Sequence, residues 1–334
     1  MNKSILKRIF QFSVITAFAF ATTGCDAFRS LRDSAGLTAQ GRPYELVVVC
    51  GHDAWKGALG DSLRAVFTAP VPYLNQTEPL FDVLRVTERS YTGTVARHRN
   101  ILKLVVDPTL PQAEAGVQYD LTAEPQIIVT LQGPTERSLT EYLSAHRSEM
   151  VQIFEQAERD RSIRFTERYF AAEVSNAIEA RFGVQMKVPR GYIVAKSEPD
   201  FVWARYEYPQ ASQGFFIYTY PYEGPESLSQ AALLAARNKF AARIPGPADG
   251  SYMTTSNVIE PSYRMFRLEG RLWCEMRGFW DVTGDFMGGP FVSYTTVDTK
   301  TNRVFTLDGY VYSPKLHKRN FVRGVEHLLY EVNF

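Results

Sequence analysis

Behind Lys3, Lys7 and Arg8 the chain runs apolar from Ile9 to Ala21, broken only by Gln11, Ser13 and Thr16. That run is too short to span a bilayer and reads as a secretory signal covering residues 1–24. The later apolar blocks are shorter and alternate with polar sequence. Leu46 to Cys50 is continuous and predicts a buried strand. Gly51-His52-Asp53 then reads as a turn with Asp53 as N-cap, and Trp55, Leu59, Leu63 and Phe67 share one helical face that stops before Pro70, with Gly57 and Gly60 as weak points. Strands are expected at 81–86, 101–106 and 126–131, so the first half alternates strand and helix and is α/β in type.

From Gly133-Pro134-Thr135 to Gly183 there is neither Gly nor Pro, and Leu139, Leu143, Met150, Ile153, Phe154 and Ala157 recur at helical spacing, with His146 on the same stripe. Thr135 is the expected cap. A break is expected at 160–163, where the stripe lapses, and Glu158-Arg159-Asp160-Arg161 is expected to be a solvated face near the boundary between the halves. Beyond it, strands are expected at 188–192, 201–206, 214–220, 256–266, 271–280, 291–297 and 303–312, with helices at 227–243 and 314–331. Many strands in succession predict a mostly antiparallel sheet flanked by helices. The fold class is therefore α+β: an α/β-type half, a long helical segment, then the antiparallel half. The order of elements in the second half is similar to the PsbP-like proteins. The expected division is a signal at 1–24, a tether at 25–43, an α/β domain at 44–160, a connecting helix at 161–182 and an α+β domain at 183–334.

Composition narrows the picture. With 334 residues, 45% hydrophobic and 22% charged, the chain is neither disordered nor a coiled coil. Lys plus Arg number 37 against 36 Asp plus Glu, which gives no single-signed field for nucleic acid. Removing residues 1–24 takes three positive charges and no negative ones, from +1 to −2. Thr23-Gly24-Cys25, directly after the apolar run, resembles a bacterial lipoprotein signal, which implies lipidation at Cys25 and attachment to a membrane through the N-terminal lipid. With Asp26 following and no acidic export run, the anchor is expected to face the periplasm, at the outer membrane. Of the other cysteines, Cys50 and Cys274 either pair or pack as small hydrophobes.

Candidate chemistry is sparse. No G-x-S-x-G, phosphate-binding Gly loop, CxxC or HExxH occurs, so no cofactor and no metal are expected. His52 and Asp53 follow a buried strand at the edge where α/β folds place sites, and form one alternative site. A ligand or partner surface is expected from Arg277 beside Asp285, walled by Trp273, Tyr294, Tyr310 and Tyr312. The parity Leu272, Cys274, Met276, Trp280 puts Glu275 and Arg277 together on the other face, expected to be solvated. Arg277-Gly278-Phe279-Trp280, Met287-Gly288-Gly289-Pro290-Phe291 and Tyr312-Ser313-Pro314-Lys315 resemble an uncharacterised lipoprotein family of the Bacteroidota, domain-of-unknown-function family 4837, across the mature chain. That resemblance implies an envelope lipoprotein and supplies no site residues. The expected function is a lipid-anchored envelope binding or assembly module with a protein partner. The alternative is a glycan or peptide hydrolase using dispersed carboxylates such as Asp53 and Asp285.

Overall fold

A computed structural model describes residues 37–334. The signal, Cys25 and most of the tether lie outside these residues. From Leu37 onward the backbone is already bonded to the fold, since Ala39 donates to Glu124 and Gln40 to Arg97, so the last seven residues of the expected tether belong to the folded body.

The first sheet grows from its most apolar runs. β1 (Glu45–Val49), β2 (Asp82–Val86), β3 (Asn100–Val106) and β5 (Ile127–Gly133) are parallel, and β4 (Glu114–Tyr119) is an antiparallel edge, in the order β2-β1-β3-β5-β4. β4 carries no strong apolar signature, because its residues alternate between exposed and half-buried around Gly116. The expected helix after β1 forms in two pieces, α1 (His52–Lys56) and α2 (Ala58–Phe67), with Gly57 between them. Gly51, not Asp53, takes the cap position. Gly60 must remain glycine, because a Cβ there would lie 1.8 Å from the Trp55 carbonyl oxygen. A short helix, α3 (Gly93–Ala96), lies between β2 and β3.

α4 (Glu136–Ala145) begins at a capping box in which Thr135 and Ser138 satisfy each other's backbone N–H groups. It ends at His146, and α5 (Arg147–Arg168) runs through 160–163 without interruption. The break thus falls at His146, which is exposed at the joint, stacks on Tyr142 and bonds Glu149 instead of facing a core. The lapse at 158–161 has another cause. Glu158 is buried and accepts from the Tyr44 N–H, Asn100 Nδ2 (2.6 Å) and Arg99 (2.7 Å), while Arg161, one turn on, donates to Asn100 Oδ1 and to the Arg99 carbonyl. These two positions continue the core-facing stripe in charged residues, so half of the expected solvated face points inward.

α6 (Ala172–Phe182) leads into a second sheet of β6 (Ile193–Glu198), β7 (Phe201–Glu207), β8 (Ser212–Pro221), β9 (Tyr252–Thr255), β10 (Ser262–Leu268), β11 (Arg271–Thr283), β12 (Gly288–Asp298) and β13 (Arg303–Tyr312). It is antiparallel throughout, in the order β10-β11-β12-β13-β8-β7-β6, with β9 on the far end of β11. α7 (Gln230–Ala241) covers one face, where Phe216, Tyr218, Phe240, Met276 and Trp280 form a core. α6 and α8 (Arg319–His327) cover the other, over Phe215, Ile217, Trp273 and Leu307. The molecule is α+β, as the patterning predicted. Cys50 and Cys274 are free thiols buried in separate cores.

Candidate functional site

The second sheet divides the expected aromatic surface. Trp273 and Tyr294 pack on the α8 face with Arg277, whereas Tyr310 and Tyr312 join the α7 face beside Trp280. Asp285 sits in the turn beyond β11, where its Oδ1 accepts from the next residue's N–H (2.6 Å), away from Arg277. No single wall is formed. The predicted parity of β11 holds, but the Glu275–Arg277 face is not solvated, because α8 and the first half lie over it. Arg277 donates to Glu275 (2.9 Å), to Glu326 of α8 and to the Tyr294 hydroxyl. Arg323 bonds the same Glu326 (3.0 Å) and reaches across to Glu155 of α5. Arg264 closes the other end on Glu275 (2.7 Å). The result is a chain of alternating charges that joins the halves.

Further contacts fix the junction. Glu78, from the first half, accepts from the N–H groups of Lys318 (2.6 Å) and Arg319 (2.9 Å), a carboxylate at the N-terminus of α8. Arg319 pairs with Asp82 (2.7 Å), and the Tyr44 hydroxyl lies 3.2 Å from His327 Nε2. Burial alone would raise the pKa of Glu326, but Arg277 and Arg323 outweigh it and hold it at about 2. Burial pushes His327 down to about 3 and Glu331 up to about 7. His327 Nδ1 and Glu331 Oε1 have no partner among the described residues and face a space of about 10 Å³, too small for anything larger than a water.

A roomier concavity lies elsewhere. At the end of the second sheet, where α6 stops, β7 starts and the β12–β13 turn lies, a cavity of about 250 Å³ opens to solvent. Phe182 and Phe305 meet edge to face in its wall, at 6.2 Å. Two carboxylates and two guanidinium groups line it, and they are unequally occupied. Arg243 grips Asp200 with two bonds (2.6 and 3.1 Å) and holds it below the usual carboxylate range. Asp298 accepts from Lys300 N–H (3.0 Å) and Thr301 Oγ1 (2.5 Å), the closure of its own turn. Arg303 spends Nε and one Nη2 hydrogen on Thr219 (3.1 Å each), and Arg181 spends Nε on Ser197 (3.1 Å). Among the described residues nothing engages Nη1 of Arg303 or either Nη of Arg181. The sequence reading missed these residues, since only folding brings α6, β8 and β13 together; the Asp298–Thr301 turn was the sole local sign.

His52 and Asp53 are exposed at the carboxyl edge of the first sheet, where neither takes part in a side-chain cluster. Among the described residues no group of three or more His, Cys, Asp or Glu is disposed to hold a metal ion, and no helix is long and apolar enough to cross a membrane.

Residues 171–331, which carry α6 and the whole second sheet, match the family model Domain of unknown function (DUF4837). Residues 39–167, with the first sheet and α5, match a second model, Domain of unknown function (DUF8532). The expected family resemblance is thus met over the second half, while the first half matches a different model. No curated protein matches the chain.

Proposed function

We propose that the protein is a binding module of the cell envelope, anchored through lipid at Cys25, facing the periplasm at the outer membrane and serving a small ligand or a protein partner. The observation that supports this reading is the open cavity with unspent arginine donors, set on a sheet whose two faces are sealed by helices. A site on rigid strands and a helix end is preorganised for recognition. The lipoprotein character, the link to the Bacteroidota group and the likeness in element order of the second half to PsbP-like domains are parts of the same proposal, carried by the signal segment, the motifs and the order of elements.

A hydrolase using dispersed carboxylates needs a deep pocket that holds a carboxylate of raised pKa. Those features sit apart here, since Glu331 faces a water-sized space and Asp200 in the open cavity is held ionised by Arg243. The test is fractionation and in-cell crosslinking of the tagged full chain beside Cys25→Ala. The wild type is expected in the membrane fraction with a stoichiometric envelope partner or bound small molecule, and the variant in the soluble fraction without it. Identical fractionation of the two would overturn the anchor, and envelope glycan or peptide turnover by the purified protein would favour the hydrolase.

A further inference from the structure

We infer that the cavity between Arg181 and Arg303 binds a small carboxylate with an apolar body. This rests on the binding-module reading and names the ligand chemistry of its site. The first argument is a count of hydrogen-bonding capacity. A carboxylate has about four lone-pair sites; Arg243 fills two of them at Asp200, and Lys300 and Thr301 fill two at Asp298. A guanidinium has five N–H donors, and Arg181 and Arg303 each keep several free. The cavity therefore presents more unmet donors, about seven, than unmet acceptor sites, about four, and the surplus is met by an acceptor-only group.

Charge selects among such groups. The planar donor edge of arginine fits carboxylate and phosphate alike. Asp200 and Asp298 on the same wall repel every added negative charge, so a monoanion is favoured over a phosphate dianion. Size and surface supply the rest. About 250 Å³ admits a ring or short branched chain, and Phe182 and Phe305 offer apolar faces for it.

The test is a titration of the full chain, followed by amide NMR, with benzoate, its neutral isostere benzamide, and phenyl phosphate as probes. Benzoate is expected to move the amides of residues 181–184 and 298–303 and to bind at least about tenfold more tightly than benzamide. Arg303→Gln should weaken benzoate at least about tenfold. Because Arg303 bonds Thr219 twice, Arg181→Gln, at an exposed position with a single bond to Ser197, is the second variant, expected to weaken benzoate similarly while moving only the amides around residues 181 and 197 in the free protein. Equal affinity for benzoate and benzamide would overturn charge recognition, and tighter phenyl phosphate would overturn the carboxylate assignment. If no probe binds while crosslinking places a partner on residues 181 and 303, the ligand class falls and the binding module stands; if neither is found, both fall.

Discussion

Arg277 and Arg323 at the junction of the two halves contrast with Arg181 and Arg303 in the open cavity. The side chains of the first pair are largely covered, 15% and 14% exposed, and Glu275, Glu326 and Glu155 set them in a chain of alternating charges. The second pair touches solvent, is held at Nε and, in Arg303, by one Nη2 bond to Thr219, and leaves Nη1 of Arg303 and both Nη of Arg181 free. Buried arginine is tolerated only when neutralised and hydrogen-bonded, so the junction pair is committed to structure. Half-open arginine carries no such requirement and remains available for recognition. The same residue type thus serves cohesion in one place and is free for binding in another, and the difference lies in what holds the outer nitrogens: carboxylates at the junction, at most a single backbone carbonyl in the cavity.

The strongest way to break this contrast is to remove a junction arginine. Arg277→Ala leaves Glu326 and Glu275 short of a partner in a buried setting and should lower unfolding free energy by about 3–5 kcal/mol in urea titrations. The double change Arg277→Met with Glu326→Leu should recover much of that loss, because the strandable charge goes with its partner. A cost near zero for Arg277→Ala would mean that the face is solvated after all. Trp280→Ala, on the opposite face, should cost a similar amount through lost packing.

Acid should find the junction next. Glu326 is held at about 2 and His327 at about 3, against ordinary values of 4.5 and 6.5, so the unfolded chain binds more protons than the folded one across those intervals. Stability should therefore fall as pH drops from 6.5 toward 2. His327→Gln should flatten the upper part of that fall, from 6.5 to 3, in thermal melts. Glu331 works in the other direction. Its folded value of about 7 lies above the ordinary 4.5, so its contribution favours folding at low pH and is lost as pH rises through 7. Glu331→Gln should raise the melting temperature at pH 8 and change it little at pH 4. At the small end, Arg181→Gln should leave stability within about 0.5 kcal/mol of wild type.

Regular patterning was easy to read. β13 forms over the predicted residues, 303–312, because apolar side chains stand on both of its faces, Val304 and Tyr310 toward α7 and Phe305, Leu307 and Val311 toward α8, in a sheet covered on both sides. The charged positions were misread because polarity in sequence says nothing of what lies opposite. Glu158 is satisfied by Asn100 and Tyr44, 58 and 114 residues away, and Glu155 by Arg323, 168 residues away. No window along α5 contains those partners, so its inward charges looked like a solvent face. The aromatic surface failed for a related reason. Strand parity separates alternate residues within β11, but which face β13 shares with it depends on register, and register placed Tyr310 and Tyr312 opposite Arg277.

The position of α8 has a consequence in time. Residues 45–168 leave the ribosome well before residues 319–331, yet Glu155, Glu78 and Asp82 of the first half are matched by residues of that late helix. The early half must wait with its junction charges in water until α8 arrives, so its outer wall is completed by a segment made well after it.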